Sequence, residues 1–236
     1  MTQPRVVATF ARFLALTAAC ALIFAVLAGA RCGSSEGDDR GSAPDTAAGT
    51  PQSSDSIVAR ADRSRIQGSD SARLWIVEIS DFQCPYCAQW HSASYEVVKR
   101  EYVDAGKARL AYVNFPLPSH KNAWAASEAA LCAGLQDRFW PMHDVLFESQ
   151  QAWKDIVNPS AFFDSLAAGV GVNAPQYRQC VASEVVRPLI QSDLDRSIQS
   201  GVNSTPTFIV GSVTVLGAQP LADFRRLLDS LLGSAR

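Results

Sequence analysis

The strongest chemical signal in the sequence is Cys84-Pro85-Tyr86-Cys87. Two thiols separated by two residues can close on one another, so a disulfide formed by one can be resolved by the other. The thiolate is the attacking species, and in C-x-x-C settings thiol pKa values fall to about 3.5–7.5. The same spacing is half of a zinc site, but the chain holds no second C-x-x-C; Cys84, Cys87 and His91 could still supply three ligands. Haem attachment needs a histidine directly after the second cysteine, and position 88 is alanine. An inert structural disulfide would make poor use of an exposed helix start.

That last point depends on the elements around the pair. Leu74-Trp75-Ile76-Val77-Glu78-Ile79 is a short apolar run rich in β-formers and reads as a buried central strand. Ser80–Gln83 connects it to the motif, and a helix is expected from there to about Val103. Pro85 suits its first turn, where a missing N–H has no intrahelical partner to lose. The unpaired N–H groups and positive dipole end of that helix would favour a thiolate at Cys84, leaving Cys87, one turn in, to resolve. Arg109–Phe115 is the next strand, stopped by Pro116 and Pro118.

About eighty residues of helical pattern follow, with starts at Ala123, Phe139, Asn158-Pro159 and Asn173. Ile190, Leu194 and Ile198 then recur every four residues before Gly201. Thr207–Val210 and Val213–Leu216, joined by Gly211-Ser212, read as a hairpin. The last helix carries one apolar stripe: Leu221, Phe224, Leu227, Leu228, Leu231 and Leu232. A parallel crossover needs only about a dozen residues, so the long excursion is an insertion into an α/β fold.

The remaining features bear on compartment and partners. Arg5 and Arg12 precede an uncharged apolar run, Phe13–Ala30, ending in Ala28-Gly29-Ala30. This is the pattern of a signal peptide, long enough also for an uncleaved membrane anchor. A lipoprotein signal ending at Cys32 is a third reading, against which Arg31 stands where a small residue is usual. Gly33 to about Ser56 is rich in Ser, Gly, Ala, Asp, Thr and Pro and reads as a tether. The formal charge of −2 becomes −2 − 2 = −4 without Arg5 and Arg12, and nothing basic supports nucleic-acid binding. Cys84, Cys87, Cys132 and Cys180 form an even set, as an oxidising compartment favours. His91, His120 and His143 read as capping or packing groups, and Trp124, Phe139, Trp140, Phe147 and Trp153 as core of the insertion.

Glu78-Ile79-Ser80-Asp81-Phe82-Gln83-Cys84-Pro85-Tyr86-Cys87 and Gly201-Val202-Asn203-Ser204-Thr205-Pro206-Thr207-Phe208 resemble the two signatures of DsbA-like thiol–disulfide oxidoreductases. The resemblance runs from about Ile66 to the C-terminus. It implies a thioredoxin fold with an inserted α-helical subdomain. It also implies that Pro206 is cis and faces the thiols, with the backbone of Thr205 holding the substrate chain. Glu78 matches the family's buried acid, which would exchange a proton with Cys87; the pattern alone leaves room for a surface or edge-strand glutamate. Pro85-Tyr86 would tune the redox poise. Tyr86 replaces the histidine common in family oxidants, and Thr205 is likewise typical of isomerases and reductases, so the direction of exchange stays open. As in several relatives, Cys132 and Cys180 are read as a structural disulfide, the alternative being two buried thiols.

The resulting expectations are a signal peptide or N-terminal membrane anchor at 1–31 and a flexible linker at 32–63. The thioredoxin fold would occupy 64–118 and 199–236, with the helical insertion at 119–198. The expected function is an exported enzyme, periplasmic or membrane-associated, exchanging disulfides with exported proteins through Cys84. No cofactor or resident metal is expected, and the resemblance implies a membrane quinone-linked redox partner. The competing class is a thioredoxin-fold binding module, either a metal chaperone or a holdase.

Overall fold

The computed structural model describes residues 54–234. The signal or anchor run Phe13–Ala30, Cys32 and the tether up to residue 53 lie outside the described residues. Among those described, no helix is long and apolar enough to cross a membrane.

In chain order the elements are α1 (Ser54–Ser64), β1 (Ile66–Gln67), β2 (Leu74–Ser80), a long helix α2 starting at Pro85, and β3 (Ala108–Asn114). Six helices follow: α3 (Ala123–Gly134), α4 (Phe139–Glu148), α5 (Gln150–Trp153), α6 (Ser160–Gly169), α7 (Ala174–Ser183) and α8 (Arg187–Gln199). The chain closes with β4 (Thr207–Val210), β5 (Val213–Leu216) and α9 (Leu221–Ser234). The sheet order is β1-β3-β2-β4-β5, with β2 parallel to β3 and the other pairs antiparallel. The strand carrying Glu78 is therefore the central one, so the edge-strand reading of that residue does not hold.

Strand alternation assigns the faces. Ile76, Leu110, Phe208 and Val210 are buried against α2 and α9, where Trp90, Phe208 and Phe224 pack with ring centroids 4.6–5.8 Å apart. Glu78 and Tyr112 lie on this same face, paired across β2 and β3. The opposite face carries Val77, Val113 and Ile209, only half covered by Leu194 of α8.

α2 is one continuous helix of mixed winding. It is α-helical over Pro85–Trp90, π-helical over His91–Tyr95, α-helical over Glu96–Val98 and π-helical again over Lys99–Val103. A π turn is wider than an α turn, is rare, and occurs frequently at functional sites.

Three expectations need correction. Residues 54–63, assigned to the linker, form most of α1; Ala61 is fully buried against the insertion. The next residue, Arg65, pairs with Asp193 of α8 and Asp62, and Asp193 also accepts from the Asn114 amide N–H and side chain at 3.1 and 3.0 Å. The insertion boundary at 198 falls inside α8, which lies on the sheet through Asp193 while Leu189 and Ile190 face the helical subdomain. Finally, the apolar recurrence fades along α8: Ile190 is buried, but Ile198 is 56% exposed.

The subdomain is packed on Phe139, Phe147, Trp153, Phe163 and Tyr177, with Trp124 and Trp140 at its margin. Cys132 of α3 and Cys180 of α7 are joined by a disulfide. Asn173 caps α7 by accepting the Gln176 N–H at 3.1 Å.

Candidate active site

Cys84 is the residue preceding the first turn of α2, in extended conformation, and Pro85 opens the helix. Cys84 and Cys87 are both free thiols and both buried, whereas Tyr86 between them is 63% exposed. The Asp81–Cys84 turn is closed by the Cys84 N–H donating to the Asp81 carbonyl at 3.0 Å. The insertion then clamps this turn. Gln150 Nε2 donates to the carbonyls of Phe82 (2.7 Å) and Cys84 (2.9 Å), and Gln83 reaches the Lys154 carbonyl at 2.9 Å. Asn122 donates its backbone N–H to Gln83 at 2.7 Å and its side-chain amide to three carbonyls of residues 153–156.

Opposite the thiols, the Thr205–Pro206 peptide bond is cis. The Thr205 carbonyl lies 3.5 Å from Cys84 Sγ. Thr205 and Pro206 are buried, and Thr207 enters β4 directly behind them.

The electrostatics separate the two sulfurs. Cys84 is lowered to about 6, first by the hydrogen bond from the Cys87 thiol, which outweighs burial, with Thr205 and the backbone N–H groups of Cys87 and Tyr86 adding to it. Cys87 is pushed well above the ordinary thiol range by burial, and then by its bond to Cys84 and the charge there. One sulfur is thus an anion near neutral pH and the other a thiol that must lose a proton to react. The backbone N–H groups at the helix start contribute, as the sequence suggests, but the largest single contribution comes from the second thiol.

Glu78, in the central strand that leads into the motif, is fully buried, with neither carboxyl oxygen hydrogen-bonded among the described residues. Burial raises its pKa to about 8; the charge of Asp144 adds to this, and the Ser80 hydroxyl, outside hydrogen-bonding geometry, offsets only part.

The histidines do more than cap or pack. His120 Nδ1 is 2.7 Å from Asp81 Oδ2, and that bond raises its pKa. Asp81 also accepts the N–H groups of Gln83 and Leu117, so it ties the β3–α3 loop to the motif. His91 Nε2 lies 3.2 Å from Asp144 Oδ1, and His143 Nδ1 lies 2.7 Å from the same oxygen. The His91 imidazole is engaged by Asp144 rather than by the two thiols, so the three-ligand set Cys84, Cys87 and His91 is not assembled. Asp81, Asp144 and Gln150 went unnoticed in the sequence because each acts across a long stretch of chain that no local pattern marks.

Fold and site together define the class, a thioredoxin fold with a Cys-Pro-Tyr-Cys pair at the start of its first long helix and a cis-proline facing it. A family model described as thioredoxin matches residues 60–230, and the chain belongs to that family, its fold interrupted by a helical insertion. Over 176 residues it is 31% identical to a Na(+)/H(+) antiporter NhaA 3 of Salinispora tropica, matching 74% of this chain and 26% of that protein. It is 27% identical to a probable disulfide bond formation protein D of Bacillus anthracis, over 61% of this chain and 67% of the relative. The chain thus spans about a quarter of the first relative's length and two thirds of the second's. The crystal structure of oxidised BdbD from Bacillus subtilis superposes with a TM-score of 0.65 at 22% identity, over 72% of this chain and 92% of that one.

Proposed function

We propose that the chain exchanges disulfides with exported protein substrates on the extracytoplasmic side of the membrane, through a mixed disulfide on Cys84. The observation that carries this reading is the asymmetry of the pair: an acidic Cys84 beside the carbonyl preceding cis-Pro206, and a buried, reluctant Cys87 behind it. In this reading Thr205 offers its backbone to an extended substrate segment, and the exposed Tyr86 lies where that segment would pass. Glu78 takes the proton that Cys87 must shed before it attacks Cys84 Sγ and frees the substrate. The signal or anchor pattern before residue 31 supports the compartment, and the name of the Bacillus anthracis relative supports the disulfide chemistry.

Replacing Cys87 with Ala removes the resolving thiol and should leave substrate proteins joined to Cys84. The adducts would be seen on non-reducing gels and lost with dithiothreitol. A Cys87→Ala protein that captures no such adducts from its own cell envelope refutes the exchange mechanism.

Stabilising the thiolate stabilises the reduced form and makes the disulfide more oxidising. A Cys84 pKa of about 6 lies between the roughly 7 of thioredoxin and the roughly 3.5 of DsbA. The potential should therefore lie between theirs, about −270 and about −120 mV. Equilibration with glutathione buffers measures it, and a value outside that interval contradicts the assignment of the Cys84 environment. The upper part of the interval favours net oxidation, with a membrane quinone-linked partner as re-oxidant; the lower part favours reduction or isomerisation.

A further inference from the structure

Any proton that Glu78 takes from Cys87 must leave a site with no solvent access, because Glu78 is fully buried. A line of polar groups leads away from it. Tyr112 is its cross-strand partner, with a phenol that is buried and without a hydrogen-bond partner among the described residues. The His143 ring stands edge-on to Tyr112, centroids 5.3 Å apart, and its Nε2 is likewise buried and unpartnered. His143 Nδ1 then meets Asp144 Oδ1 at 2.7 Å, and the same oxygen meets His91 Nε2 at 3.2 Å. Asp144 is the first member to reach solvent, with its side chain 31% exposed, against 10% for His91.

We propose that His143, Asp144 and His91 form the conduit by which the proton exchanged between Cys87 and Glu78 passes to and from solvent. This rests on the reading of Glu78 as the proton acceptor. The groups facing the line come from every layer around it: Glu78 of β2, Tyr112 of β3, Cys87, His91 and Tyr95 of α2, and Asp144 of α4. Phe82, Phe139, Trp140 and Phe147 wall His143 off from water. The π-helical turn begins at His91 itself.

The steps balance as follows. In a mixed disulfide, Glu78 first loses its own proton along the same route to its ionised form, the minor one below pH 8, and the Cys87 thiol then gives its proton to that carboxylate. The Cys87 thiolate attacks Cys84 Sγ, the Cys84–substrate S–S bond breaks, and the leaving sulfur departs as a thiolate carrying the electron pair. The dithiol is oxidised by two electrons and the substrate disulfide is reduced. Glu78 then passes its proton to His143 Nε2 by way of the Tyr112 hydroxyl, which bonds neither group in this state and must turn to meet each. Meanwhile His143 Nδ1 releases one proton to Asp144, from which it leaves to solvent directly or by way of His91. Burial holds His143 at about 4, so accepting at one nitrogen while releasing at the other keeps the ring neutral. Re-reduction of the pair runs the transfer backwards and restores the starting tautomer.

The test uses the reduced protein and 5,5′-dithiobis(2-nitrobenzoate). Attack by Cys84 releases one thionitrobenzoate; attack by Cys87 on the resulting mixed disulfide releases the second. His91→Ala and Asp144→Asn should slow the second release relative to the first by about a hundredfold, the lower end of the range for lost proton transfer. Added imidazole should restore it in His91→Ala but not change the wild type, a rescue that a merely structural histidine would not give. If both variants keep the wild-type ratio while Glu78→Gln loses it, the conduit is refuted and the role of Glu78 stands. If Glu78→Gln also keeps the ratio, the underlying reading of Glu78 fails instead. A slowed His91→Ala that imidazole does not rescue also refutes the conduit.

Discussion

Glu78 and His143 are fully buried ionisable groups that burial moves in opposite senses, Glu78 up to about 8 and His143 down to about 4. A glutamate that keeps its proton in the folded state, while the unfolded chain has lost its own above about 4.5, contributes stability at low pH. That contribution disappears as pH rises towards 8. The histidine works the other way, its contribution present above about 6.5 and lost towards 4. Cys84, lowered to about 6, likewise gains the protein stability as pH rises, so the wild-type profile is flatter than Glu78 alone would give. Comparison with Glu78→Gln isolates the glutamate. The variant should match the wild type near pH 4.5 and exceed it at pH 8 by up to about 5 kcal/mol. Urea unfolding at several pH values measures this, and a variant no more stable at pH 8 than at pH 4.5, relative to wild type, contradicts a buried, proton-holding Glu78.

At the scale of elements, two connections hold the insertion and α1 to the sheet. Arg65 and Asp193 are almost completely buried, and the Asp193 carboxylate also serves Asn114. Arg65→Ala would strand that carboxylate and should cost about 3–5 kcal/mol in denaturant unfolding. A loss under 1 kcal/mol would show the pair to be solvated. The disulfide from α3 to α7 closes a separation of 48 residues, and replacing both cysteines with Ala should cost up to about 4 kcal/mol. These elements also mark where sequence reading succeeds and stops. β2, β3, the hairpin and α9 are legible because alternation or a 3.6-residue stripe repeats within each segment. Residues 54–63 were misread because α1 is mostly polar and touches the core chiefly through Ala61, too small a residue to make an apolar pattern. The π turns of α2 carry no signature in residue type.

For the molecule as a whole, the legible part of the site is the part that is local in sequence: Cys84 to Cys87, and Thr205-Pro206. Asp81, His120, His143, Asp144 and Gln150 were not legible as site residues, since each earns its place only when separate segments meet. The insertion carries Gln150 to the Phe82 and Cys84 carbonyls from 68 and 66 residues away, so it shapes the dithiol and does more than cover it. Everything proposed here turns on one sulfur being an anion near neutral pH while its neighbour is not. The direct measurement is the pH dependence of iodoacetamide alkylation of the reduced protein, with the modified cysteine identified by peptide mass. Modification of Cys84 alone, with a midpoint near 6, is the expected result. Equal labelling of Cys87, or a midpoint at the ordinary thiol value of about 8.5, would contradict the account.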